Sequence, residues 1–167
     1  MDFSAFAFIL AAFSLALSFF IIYNWNLKSK PQKKESSFST KPLQLQAYER
    51  LVVLAERIAI PNLVGRINNP DLSAKEMQLL LLSHIKQEFE YNCSQQIYVK
   101  PSSWQSIQKL KDQNMLIINQ VAQTLTTDAK AFELNRTLLE IILKQDKNAL
   151  HIIVLDALNY EARKLMQ

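Results

Sequence analysis

The chain has one glycine, Gly65, in 167 residues. Average usage of about 7% would place roughly a dozen in this length, so sites built on a side-chain-free backbone are excluded. There is no G-x-G-x-x-G, no G-x-x-x-x-G-K-[ST] and no G-x-S-x-G string. Rossmann dinucleotide domains, P-loop nucleotidases and hydrolases with a nucleophile elbow fall away together, because their phosphate cradles and tight turns need those glycines. Histidine and cysteine are as scarce, with only His84, His151 and Cys93 present. His84 and Glu88 share a helix face, with Glu90 and Cys93 just beyond. A zinc site needs three or four convergent ligands, however, so no metal and no cofactor is expected. Cys93 and His84 stand more than two helical turns apart and do not make a nucleophile and base pair. A lone cysteine forms no intramolecular disulfide, in keeping with a reducing compartment.

Basic residues outside the linker are also few in net terms. Lys28, Lys30, Lys33, Lys34 and Lys41 against Glu35 give the stretch KSKPQKKESSFSTK a charge of +4, equal to the formal charge of the whole chain. The part that follows is nearly balanced. A nucleic-acid-binding domain carries its basic excess on the folded part, beside stacking aromatics, so no nucleic-acid partner is expected.

What the chain does have is a long apolar run. Phe3 to Tyr23, FSAFAFILAAFSLALSFFIIY, is uncharged over 21 residues. As a helix it covers roughly 31 Å, matching a hydrocarbon core of about 30 Å. It reads as one membrane span and as an uncleaved signal anchor, because no basic segment precedes it and no small-residue cleavage site follows. Tyr23 and Trp25 stand where interfacial aromatics belong, and Lys28, Lys30, Lys33 and Lys34 come next. The positive-inside bias then puts the N-terminus outside and the rest in the cytoplasm, at the inner membrane. Ser4, Ala7, Ala11, Ser14 and Ser18 form a stripe of small residues along one side of this helix, suited to packing against another membrane helix.

The expected organisation is a transmembrane anchor over 1–27, a basic flexible tether over 28–42, too polar to fold alone, and a cytoplasmic helical domain over 43–167. The fold class is all-α, a bundle of about five helices. The first runs from Leu43 to Ile60 with Leu51, Leu54, Ala55 and Ile58 inward, ended by Pro61 and followed by a loop with Gly65, Asn68, Asn69 and Pro70. Ser73-Ala-Lys-Glu76 is a capping box and starts the second, to about Tyr91. CSQQIYV leans towards strand. Ser102 or Ser103 caps a third helix through Leu125, with Ile107, Leu110, Ile117 and Val121 on one seam and Asn114 within it. Thr127 or Asp128 caps a fourth, carrying Phe132, Leu138, Leu139 and Ile142 inward and a Glu140 to Lys144 pair on its surface. After KQDKN, read as a hairpin connection, the fifth runs from Asn148 with Leu150, Ile153, Ala157, Leu158 and Leu165 inward.

Tyr91, Tyr98 and Trp104 lie close together around the irregular segment, where they either line a groove or plug the end of the bundle. EFEYNCSQQIYV, followed by Trp104, and the upstream KPLQLQAYERLVVLAERIAIPNLVGRI resemble an uncharacterised family of short single-pass inner-membrane proteins of Bacteroidota. The resemblance covers the span and Lys41 to Asn119, and implies location rather than activity. The expected function is a non-enzymatic scaffold or accessory subunit of an inner-membrane assembly, integral to the membrane. Its partners are other membrane or cytoplasmic proteins, or further copies of itself. The alternative is a membrane-tethered enzyme or small-molecule sensor with a pocket near Tyr91, Tyr98 and Trp104, using His84, Glu88 and Glu90.

Overall fold

The computed structural model describes residues 13–24, 39–144 and 150–167. The chain divides into two compact units between Ser39 and Thr40. In the first, residues 13–24 form a helix, α1. The expected span begins further upstream, and its residues 3–12 lie outside the described residues, as does the expected tether over 28–38. Among the described residues no helix is long and apolar enough to cross a membrane.

The second unit is all-α among the described residues. Its helices are α2 (Lys41–Ile58), α3 (Ile60–Ile67), α4 (Ala74–Asn92), α5 (Pro101–Thr124), α6 (Ala131–Lys144) and α7 (Leu150–Met166), with a 3-10 helix over Cys93–Ile97. One core runs through it, with Leu51, Leu54 and Ile58 of α2, Leu63 of α3, Met77, Leu81 and Ile85 of α4, Ile107, Leu110 and Ile118 of α5, and Leu134 of α6 all fully buried. Helix α2 is at the centre, touching α7, α4, α5 and α3.

The count exceeds the expected five because the segment after Ile58 is not a loop. Ala59 adopts φ −56° and ψ 127°, which ends α2, and a new helix begins with Pro61 in its first turn. Proline is welcome there, since the first N–H groups of a helix have no intrahelical acceptor. Gly65, expected in a turn, sits inside α3. The break strands the last carbonyls of α2, and Pro61 has no N–H to offer Arg57. Three side chains replace the missing donors. Asn62 Nδ2 donates to Glu56 O at 3.0 Å, Arg66 Nη2 to Arg57 O at 3.3 Å and the buried Asn114 Nδ2 to Ile58 O at 2.7 Å.

The Ser73 capping box is formed as expected. Ser73 Oγ accepts from the Glu76 N–H at 3.2 Å, and the Glu76 carboxylate accepts from Ser73 N–H at 2.9 Å. The Ser73 N–H, and after it the Ser73 hydroxyl donating to the same carboxylate at 2.7 Å, hold the Glu76 carboxyl below its ordinary range. An isolated antiparallel bridge joins Ser73 to Lys130, setting the starts of α4 and α6 side by side. Other expectations shift. The CSQQI segment is 3-10 helix rather than strand. Helix α5 is capped at Lys100, while Ser103 turns inward to the Tyr48 hydroxyl at 3.4 Å. Thr127 and Asp128 lie in a turn ahead of α6. Phe132 faces outward, and Glu140 pairs with Arg136. On α5 it is Ile118 that is fully buried, with Ile117 half-buried; on α7 Val154 and Leu158 are buried, whereas Ile153 and Ala157 are exposed. The Ile117 and Ile153 misses are offsets of one position on helices whose apolar residues cover more than one face. Of the KQDKN connection, 144–148, Lys144 is the last residue of α6 and the rest lies outside the described residues.

Two outcomes follow. Asn114→Ala leaves the Ile58 carbonyl buried without its donor and should cost about 1–3 kcal/mol in urea denaturation. The depressed Glu76 pKa means that its contribution is complete above the ordinary carboxylate range and is lost as pH falls through the folded value. The stability gap between wild type and Glu76→Ala should therefore be constant near neutrality and shrink in acid, read as urea midpoints from pH 7 to pH 3.

Candidate functional site

The aromatic trio is not brought together. Trp104, near the start of α5, is buried and stacks on Phe89 of α4, ring centroids 5.0 Å apart. Lys111 Nζ covers the same Phe89 ring at 4.6 Å. Tyr91 and Tyr98 instead open onto two separate depressions.

The Tyr91 depression, about 350 Å³, lies between α2 and α4. Tyr91 is 74% exposed and carries the Arg50 guanidinium over its ring at 5.1 Å. Arg50 Nε donates to Asn92 Oδ1 at 3.4 Å, and the buried Asn92 is tied back by Nδ2 to Glu88 O at 2.8 Å. Glu88 accepts from Arg57 Nε at 2.7 Å and has Arg66 Nη2 at 3.7 Å. The carboxylate nearest His84 in sequence is thus held by arginines from two other helices. Among the described residues no group of three or more histidine, cysteine or acidic side chains is placed to hold a metal. The Cys93 thiol donates to Phe89 O of the preceding α4 turn at 3.4 Å.

The Tyr98 depression, about 300 Å³, sits where the 3-10 helix and the start of α5 meet α2 and the end of α7. The buried Tyr48 hydroxyl accepts from Lys100 N–H at 3.2 Å. Lys100 Nζ reaches Glu161 at 2.5 Å, and this hydrogen bond raises the lysine pKa. The charges lining both depressions are largely paired with each other, so neither gathers a free acid, base and nucleophile.

A third groove, about 460 Å³, lies between α3 and α6 and is the most apolar. Val64, Gly65, Phe132, Leu139 and Leu143 line it, together with Arg136 and Glu140. At one end Asn135 Nδ2 donates to Asn68 Oδ1 at 2.9 Å. The Asn135 Oδ1 atom is buried there without a hydrogen-bond partner. Reading α6 as having a single apolar face hid this groove from the sequence. Its signal was present in the seven- and four-residue spacing of Phe132, Leu139 and Leu143.

Of the small-residue stripe, Ser14 and Ser18 are described and exposed, and Ser18 Oγ donates to Ser14 O at 2.9 Å. Ser4, Ala7 and Ala11 lie outside the described residues. So do Trp25, Lys28, Lys30, Lys33 and Lys34. Tyr23 is exposed near the end of α1.

These features define an all-α bundle with grooves on its outer surface and no assembled catalytic constellation among the described residues. The chain belongs to the family of unknown function DUF7935, whose model matches residues 3–165. No curated protein and no solved structure matches it significantly.

The different settings of the aromatics separate their roles in stability. Trp104→Ala should cost about 3–5 kcal/mol, as a buried ring removed from a core. Tyr91→Ala should stay within roughly 0.5–1 kcal/mol, losing only an exposed cation–π contact. Chemical denaturation of the two variants checks the contrast.

Proposed function

We propose that the chain is a membrane-anchored scaffold or accessory subunit of an inner-membrane assembly, without catalytic activity. One span over Phe3 to Tyr23 anchors it, with the N-terminus outside and the helical unit cytoplasmic. The observation that carries this reading is α1, where Phe13, Leu15, Phe19, Phe20, Ile21 and Ile22 are all exposed and spread round most of the helix, with only the small Ser14 and Ser18 on the remaining side. An uncharged helix so widely apolar has no stable place in water and finds one in lipid. The uncharged residues before it and the lysines after it support the span and its orientation. The interaction role is supported by the apolar α3 and α6 groove, and by the mutual pairing of charges in the other two depressions. A chemical role would call for convergent, unengaged acid and base groups.

Fusions at the C-terminus test the reading. A fluorescent protein should glow there and alkaline phosphatase should be inactive, with the chain remaining in the membrane pellet after carbonate extraction. Phosphatase activity would reverse the orientation, and release by carbonate would remove the span. Purification in mild detergent should bring down other proteins in fixed stoichiometry, or the chain as a multimer.

A further inference from the structure

We infer that the groove between α3 and α6 is an interface between two copies of this chain, with their α6 helices antiparallel about a two-fold axis. The inference deepens the proposed interaction role, and rests on it only in taking protein contact as the business of the helical unit.

Helix α6 has a second apolar stripe beyond the one it buries. Ala131, Leu134 and Leu138 face the core. Phe132 and Leu143 are 66% and 80% exposed, with Leu139 between them in the groove. A helix held by one core needs one such stripe, and a second, exposed one marks a contact surface.

Gly65 supplies the second observation. It stands inside α3 on the groove, in helical backbone, and a Cβ there would meet nothing within 4 Å. Neither a left-handed conformation nor a close neighbour inside the unit calls for glycine, and glycine weakens a helix. What the missing side chain does provide is a low floor on which another chain can lie close.

The charges select the occupant. Arg136 and Glu140, both on the groove, lie one turn apart and pair at 2.8 Å. An antiparallel second α6 crossing between these residues sets Arg136 beside the partner's Glu140, and Glu140 beside the partner's Arg136. A parallel copy in register would set like against like. The same two-fold axis carries Phe132 of each copy towards the Leu143 end of the other's groove. One patch that is complementary to itself is what an isologous interface requires, and opposite charges flanking an apolar seam set helix orientation.

The test uses the full chain in detergent micelles, with self-association followed by sedimentation and folding by circular dichroism. Wild type should dimerise. Gly65→Leu puts a side chain on the groove floor where its Cβ finds open space, so it should keep or raise helicity and melting temperature while weakening the dimer at least about tenfold. Arg136→Glu should weaken it too, and the exchange Arg136→Glu with Glu140→Arg should restore it. A monomeric wild type would overturn the inference, as would Gly65→Leu or Arg136→Glu dimers as tight as wild type. A chain that is anchored but monomeric sinks this interface and leaves the membrane reading standing. A chain that dimerises through the groove but is released by carbonate does the reverse.

Discussion

The helical unit depends on how α2 ends. Ala59 leaves helical geometry, Pro61 brings no N–H, and the carbonyls of Glu56, Arg57 and Ile58 need donors from elsewhere. Asn62 and Arg66 supply two from the helix that follows, and Asn114 supplies the third from α5. That third bond is buried, where an unmade hydrogen bond costs most, so it sets the height of α5 along α2. The packing of Ile107, Leu110 and Ile118 of α5 into the core is tied to that position. The short α3 lies where it does because the chain turns at Ala59, and only from there can it form a groove with α6.

The outer surface then divides by chemistry. Between α2 and α4 an arginine-rich network holds one carboxylate, Glu88, and stacks one guanidinium on an exposed tyrosine. Where the 3-10 helix meets α7, Lys100 and Glu161 pair beside Tyr98. Between α3 and α6 the lining is mostly apolar, with the single Arg136–Glu140 pair among it. Paired charges are largely neutralised and solvated, whereas exposed apolar side chains gain by being covered. The three surfaces therefore differ in what they offer a partner.

Much of the fold was legible before any coordinates. The Ser73 and Glu76 box, the inward face of α2 and the extent of α4 and α5 follow from local rules, since capping and 3.6-residue spacing act within one or two turns. Pro61 misled because proline stops one helix and starts the next equally well, and only the turn at Ala59 distinguishes the two. CSQQI looked like strand by composition, yet no neighbouring strand exists among the described residues to pair with it, and a tight helical turn satisfies its backbone locally. Tyr91, Tyr98 and Trp104 are near in sequence and apart in space because α4 ends and α5 begins between them.

The sequence by itself determined the all-α class, the apolar N-terminal run, the neutral balance of the helical unit and the lack of any glycine-built site. Those are matters of composition and short-range spacing, and they survive any packing. Tertiary structure alone decided that Asn114 caps α2, that Glu88 is held by Arg57 and Arg66, and that Phe132 and Gly65 share an open groove. Each joins residues dozens of positions apart, where the partner is chosen by how helices meet rather than by anything either segment carries.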